Sequence, residues 1–344
     1  MGENALVYSK DLKNYDFGPG HPFRGSRFLE FMKVFKENRF DKYFDIIEPK
    51  PVTEEDLLLV HTKEYINRVK EGKGIDLDTP LRPELYDAAR LIVGVSKLAG
   101  ELVWNGDYRK VIGIGGGLHH AKRSREAGFC IFNDVAVCAK NLINKGAERI
   151  LILDTDAHAG DGTSEIFYSD NKVLFIDLHQ DPRTLYPGKG FIEDMGVANG
   201  WGYTINVPMP PGASDKAYEY VLNEIFEPLA LKFKPDVIIR YGGSDPHFSD
   251  PLTDLGLTLD GFRSIGEKVR EVSERVCNGK VIDLMVSGYK NEVLPYAWMS
   301  LMAGLTNINA EFKDSFKPDV YSGLDETKNI VSKIKEKVRF YWDV

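Results

Sequence analysis

Cysteine is scarce: Cys130, Cys138 and Cys277 are the three in 344 residues, and none sits in a CxxC pair. Three isolated thiols cannot build a disulfide framework, so the sequence reads as an intracellular, cytoplasmic protein with reduced cysteines. Clustered positive charge is missing as well. The net charge is −8, with Lys and Arg scattered among Asp and Glu; without a basic stripe to hold a phosphate backbone, nucleic acid is not expected as a direct partner. An acidic surface instead draws cationic ligands such as lysine-rich tails or polyamines, an influence on encounter and not on specificity. No basic start precedes a long apolar run and no apolar stretch reaches membrane-spanning length, so neither a signal peptide nor a membrane association is expected. Met1-Gly2 does not open a myristoylation signal, because Leu6 stands where Ser or Thr is needed. Repeats, low-complexity tracts and breaks in composition are absent too. A hydrophobic content of 43% is enough for one large core, which predicts a single domain over residues 1–344.

What is present is alternation. Apolar, β-branched-rich runs recur at Ala5 to Tyr8, Val111 to Ile114, Ile150 to Leu153, Val173 to Leu178, Val237 to Ile239 and Val281 to Val286, separated by helical patterns. That order predicts an α/β fold with an open parallel sheet flanked by helices. Ser214 is placed to cap a helix in which Val221, Ile225 and Leu229 recur at four-residue spacing, with Pro228 expected to kink or break it. Ile330, Ile334 and Val338 repeat the pattern near the C-terminus.

Polar clusters follow the predicted strands: Gly115-Gly116-Gly117-Leu118-His119-His120, Asp154-Thr155-Asp156-Ala157-His158, Gly242-Gly243-Ser244-Asp245 and Ser287-Gly288-Tyr289. Open α/β sheets bind ligands beyond the carboxyl ends of their strands, so four such clusters are expected to meet in one crevice. Asp154, Asp156 and His158 occupy every second position, and on an extended backbone they would share one face. Asp156, His158 and Asp245 would offer a divalent cation such as zinc three ligands and leave a position open, the arrangement of a catalytic site. A metal there polarises a carbonyl and brings the pKa of its bound water toward about 7. His119 and His120 can serve as general base and acid if carboxylates orient their far nitrogens, and Asp154 and Asp161 are the available orienters. The Tyr289 phenol can donate to a developing oxyanion.

With these residues in hand, the chain resembles the histone deacetylase superfamily, in its zinc-dependent branch with acetoin-utilisation proteins and acetylpolyamine amidohydrolases. The resemblance runs in family order from Gly18-Pro19-Gly20-His21-Pro22 and Arg27, through Val60-His61-Thr62, to Gly288-Tyr289 and Trp298. Its most specific segments are GGGLHHAKRSREAGFCIFND (115 to 134), DTDAHAGDGT (154 to 163), FIDLHQ (175 to 180) and GGSDPHFSDPL (242 to 252). The resemblance implies an arginase/deacetylase-like sheet and hydrolysis of an acetyl or other short acyl amide on a lysine side chain. It makes Asp156, His158 and Asp245 the ligands of Zn2+, a place Fe2+ or Co2+ can also take. It makes His119 and His120 the catalytic pair, backed by Asp154 and Asp161, and Tyr289 the carbonyl-polarising phenol. It further implies an acyl-lysine tunnel walled by Phe129, Tyr186 and Gly128, with Gly288 beside the tyrosine and Asp78 holding the substrate backbone. A structural K+ would use Asp154 and the backbone carbonyls of Asp156 and His158, with Asp177 and Leu178. Substrates would be acylated lysine in proteins or small acetylated amines; oligomerisation is left open.

Several positions depart from that pattern. Ala159 stands where most members have a second histidine, Ser287 replaces a glycine, and His247, in Asp245-Pro246-His247, is expected behind the ligands or at the rim and not as a fourth ligand. Leu252 lies two residues after Asp250, where polyamine-selective relatives carry a glutamate, so acyl-lysine is expected over acetylpolyamine. A ureohydrolase of the arginase and agmatinase kind would hold two manganese ions and need acids at the places of Gly160 and His247. A catalytically silent acyl-lysine binder would be expected to have lost a ligand, the histidine pair or the tyrosine, and none is lost.

Overall fold

The computed structural model describes residues 2–315 and 322–343. Its strands are β1 (Gly2–Val7), β2 (Asp45–Ile47), β3 (Tyr108–Ile114), β4 (Ile150–Asp154), β5 (Val173–Gln180), β6 (Thr204–Met209), β7 (Val237–Gly242) and β8 (Val281–Met285). They form one eight-stranded parallel sheet in the order β2-β1-β3-β8-β7-β4-β5-β6. Strands β4 and β5, ILILD and VLFIDLHQ, are buried along their whole lengths. Near-continuous apolar runs are what a parallel strand covered by helices on both faces requires.

Two strands have no counterpart in the apolar pattern. Strand β2 is a three-residue, half-exposed edge. Strand β6 reads TINVPM, and its Pro208 is tolerated because the strand lies at the sheet edge, where a missing backbone donor breaks no ladder.

Flanking helices follow their own periodicity. In Leu259–Cys277 the buried Phe262, Ile265, Val269 and Val272 make one stripe, Thr258 caps the start, and Asn278 closes the end with φ +55°. Ser214 does occupy the N-cap position of Asp215–Val221, but its hydroxyl donates to the Ser322 carbonyl at 3.3 Å and accepts no amide of the helix. That helix widens into a π turn at Leu222–Phe226 and resumes at Glu227–Phe233 with Pro228 in its first turn, so the helix is distorted beside the proline and not ended by it. No described helix is long and apolar enough to cross a membrane.

The described chain forms two compact units. One comprises the residues up to Ala147 with Asp161–Ile166 and Ile282–Val286; the other comprises Glu148–Gly160, Phe167–Val281 and the residues from Ser287 on.

Candidate active site

In the first unit, the segment after β3 turns on Gly115 (φ +98°) and Gly117 (φ +121°), backbone angles that L side chains rarely adopt. The turn is closed by Asp134, at the start of helix Asp134–Asn144. Its carboxylate accepts the amides of Gly117 (2.9 Å) and Leu118 (2.7 Å) and the Ser96 hydroxyl. Burial pushes the Asp134 carboxyl up to about 6 against these hydrogen bonds. The loop is thereby fixed where it presents His119 and His120, both buried, with their Nε2 atoms 3.1 Å apart.

Behind His120, Asp161 Oδ1 lies 2.9 Å from Nδ1, while Asp161 Oδ2 receives Lys122 Nζ at 2.9 Å. Burial opposes charge on Asp161, but His120 and Lys122 outweigh it and hold the carboxyl far below its ordinary range. A side chain at position 162 would put Cβ 2.4 Å from the Ala121 carbonyl, so Gly162 lets the Asp161 helix press directly on the histidine segment. Asn133 ties the same segment from the other side, donating to Thr163 Oγ1 at 3.0 Å and Ala121 O at 3.2 Å.

Gly128 and Phe129 follow. A Cβ at Gly128 would lie 2.4 Å from His120 Cδ2, which leaves room there for glycine alone. Phe129 has φ +66°; its amide donates to Thr79 Oγ1 (2.9 Å) and its carbonyl accepts the Tyr15 hydroxyl (2.6 Å). The His21 ring packs edge-on to Phe129 at 4.6 Å. Its Nδ1 accepts the Phe23 amide, which leaves Nε2–H to donate to the Asp78 carbonyl at 3.0 Å. Asp78 itself is exposed. Buried Glu126 grips the preceding turn by accepting the amides of Ile75 and Asp76 and pairing with Arg68 at 2.8 Å.

In the second unit, Asp154 ends β4, in register with Tyr241 of β7 and Asp177 of β5. The strand stops there. Asp156, Ala157 and His158 lie on a bend, so the extended, alternating arrangement expected from the sequence does not hold. The cause is local: the Asp156 amide donates to Asp154 Oδ1 (2.9 Å) and the His158 amide to Asp156 Oδ1 (2.8 Å), curling the chain. The curl achieves the convergence anyway. His158 Nδ1 lies 3.1 Å from both Asp156 Oδ1 and Asp245 Oδ2, and among the described residues this trio forms a group whose ligand atoms all fall within 4.8 Å of one another.

The trio suits a divalent cation. Two buried carboxylates crowd one imidazole; burial works against the His158 charge, but Asp156 and Asp245 outweigh it and raise its pKa to about 10. Burial, and then the like charge of Asp156, push Asp245 up to about 7. One imidazole nitrogen with carboxylate oxygens is a zinc-type donor set, and a dication there would offset the like charge of the two carboxylates. Asp177 accepts Gly160 N (2.9 Å) through Oδ2 and faces His179 Nδ1 (2.8 Å) with Oδ1. A Cβ at Gly160 would lie 2.5 Å from Asp154 Oδ2 and 2.6 Å from the Tyr241 hydroxyl, so no acid from that position can complete a second metal site. His247 is buried, with Nε2 2.8 Å from Asp314 and Nδ1 2.8 Å from Ser249, which places it away from any rim.

Tyr289, half-buried, follows Gly288 (φ +119°). Its amide donates to Asp250 Oδ2 at 2.7 Å, and Leu252 N donates to Asp250 Oδ1 at 3.0 Å, so one carboxylate sets both the tyrosine loop and the leucine. Leu252 and Tyr186 are exposed. Sequence reasoning gave no role to Lys122, Glu126, Asp134 or Asp250. Only Asp134 carried a readable sign, an Asn-Asp pair opening an apolar helix.

The first unit thus carries a carboxylate-backed histidine pair, and the second carries a cluster of two carboxylates and one imidazole that could hold a metal. The histone deacetylase domain model matches residues 21–305, and the chain belongs to that family of deacetylases. A "probable deacetylase" of Archaeoglobus fulgidus is 35% identical over 98% of both chains, and the acetoin utilization protein AcuC of Bacillus subtilis is 35% identical over 90% of this chain and 84% of its own. The crystal structure of the HDA15 HD domain superposes with a TM-score of 0.88 at 24% identity, covering 100% of this chain and 97% of that one, and shares the fold.

Proposed function

We propose that the chain acts as one catalytic domain that removes acetyl or other short acyl groups from lysine side chains, using a single zinc ion, with iron or cobalt as substitutes. The observation that carries this reading is the trio of buried Asp156, half-buried His158 and buried Asp245, which among the described residues supplies three converging donors. A zinc ion held there would supply Lewis acidity to the scissile carbonyl and acidify a water near neutral pH.

The remaining chemistry belongs to the side chains. With Nδ1 engaged by Asp161, His120 has Nε2 for proton exchange with His119 and with the reacting groups, so the pair takes a proton from water and returns one to the leaving amine. Asp154 is the proposed orienter of His119. The Tyr289 hydroxyl donates to the developing oxyanion. Phe129, Gly128 and Tyr186 enclose the methylene stem, and Asp78 accepts from the substrate backbone. A potassium ion at Asp154 and the backbone carbonyls of Asp156 and His158, with Asp177 and Leu178, would steady the ligand bend. Exposed Leu252 offers no countercharge to a second amine, which favours acyl-lysine over acetylpolyamines.

The test is a panel of acetyl-, propionyl- and longer acyl-lysine peptides, acetylpolyamines and free acetylated amines, with metal content measured on the same sample. Acyl-lysine peptides are expected to give the highest kcat/KM with one transition metal per chain. A tenfold preference for acetylpolyamine, or two tightly held catalytic ions, overturns the reading.

A further inference from the structure

Ser287 stands where the deacetylase pattern has glycine, and its side chain is not idle. Its hydroxyl donates to Asp245 Oδ1 at 2.6 Å, while Asp245 Oδ2 faces His158 Nδ1 at 3.1 Å. A carboxylate turns easily about its Cβ–Cγ bond, and a ligand that turns must be re-ordered each time a metal binds. A hydrogen bond to the oxygen turned away from the imidazole removes that freedom.

The serine has little freedom of its own. It is buried, and its carbonyl accepts both Ser244 N (3.0 Å) and Trp298 Nε1 (3.3 Å), so the backbone is pinned from two directions. The next residue cannot relax around it: a Cβ on Gly288 would fall 1.8 Å from Ser244 Oγ. Two positions further on, the Tyr289 amide is held by Asp250.

We propose that Ser287 is a positioning residue for the metal, fixing the Asp245 carboxylate in its ligand orientation and tying the metal ligand to the loop that carries Tyr289. The inference rests on the metal reading above.

The experiment measures zinc and cobalt affinity, by competition with a chromophoric chelator, on metal-stripped wild type, Ser287→Ala and Ser287→Gly. Both variants are expected to bind roughly 10- to 100-fold more weakly, the range for loss of a hydrogen bond to a ligand. Their metal-free Tm should stay close to wild type, and the cobalt d–d spectrum should change. Tyr289→Phe, which keeps the serine, should retain wild-type affinity. Wild-type affinity and an unchanged cobalt spectrum in the serine variants overturn the role of Ser287 and leave the metal site standing. A wild type without a tight site overturns the metal reading, and this inference with it. Should the alanine variant not fold, the glycine variant, which carries the relatives' residue, decides the matter.

Discussion

His61 lies outside the reacting groups, yet it staples the segment that bears them. Its Nδ1 is 3.0 Å from the Lys122 carbonyl and its Nε2 accepts the Asn133 amide at 3.0 Å. That pairing needs a neutral ring protonated on Nδ1 alone. Burial lowers the His61 pKa from 6.5 to about 4. A histidine whose folded pKa lies below its unfolded value is protonated more readily in the unfolded chain, so its contribution is complete above about pH 6.5 and is lost as pH falls toward 4. Between pH 7 and pH 5 the loss works out at about 2 kcal/mol, from about 1.4 kcal/mol per pKa unit and the two values for this residue. His61→Gln removes the titrating group. Urea unfolding of metal-stripped wild type and variant at pH 7 and pH 5 isolates the term, because protonation of the metal ligands is common to both and cancels. Wild type should lose about 2 kcal/mol more than the variant across that interval. Equal losses would refute the assignment of a neutral, buried His61.

Other substitutions probe the reaction directly. Asp245→Ala and His158→Ala should each abolish metal binding and hydrolysis together, as read by metal analysis and turnover on one sample; full activity in a metal-free variant contradicts the ligand assignment. Tyr289→Phe should lower kcat by about 100-fold with metal content unchanged, the magnitude of a lost oxyanion donor, and a near-normal kcat excludes the phenol from that role. Leu252→Glu should move the kcat/KM ratio of acetyl-lysine peptide to N-acetylspermidine toward the polyamine, and an unmoved ratio removes Leu252 from specificity.

The sheet was legible where it is buried on both faces, because ILIL and VLFIDL admit little but a covered parallel strand. Its edges were not: β2 has three residues and β6 carries Thr204, Asn206 and Pro208, so neither shows an apolar run. The residue types of the candidate metal trio could be read from the chain, but the bend that unites them could not. Side-chain-to-amide bonds from Asp154 and Asp156 decide it, and they override the alternation that an extended backbone would impose.

The roles that stayed hidden share a physical reason. Asp134, Glu126, Asp250 and Ser287 each act by holding a group distant in sequence: Asp134 the glycine turn before the histidine pair, Glu126 the turn before Asp78, Asp250 the Tyr289 amide, and Ser287 the Asp245 carboxylate. A buried carboxylate accepting backbone amides has the same one-letter appearance as a solvated loop acid, and apart from the Asn-Asp pair that opens the Asp134 helix nothing local tells them apart. Their burial does. An unpaired carboxylate costs too much inside a protein to be retained without partners, so each of these acids marks a loop whose shape depends on it. Lys122 shows the same logic with the sign reversed. A buried ammonium 2.9 Å from Asp161 offsets part of the negative charge that Asp161 presents to His120, so the histidine is oriented by a carboxylate without facing its full field. In the proposed reaction His120 both accepts and releases a proton, and a carboxylate whose charge is shared with Lys122 suits that exchange.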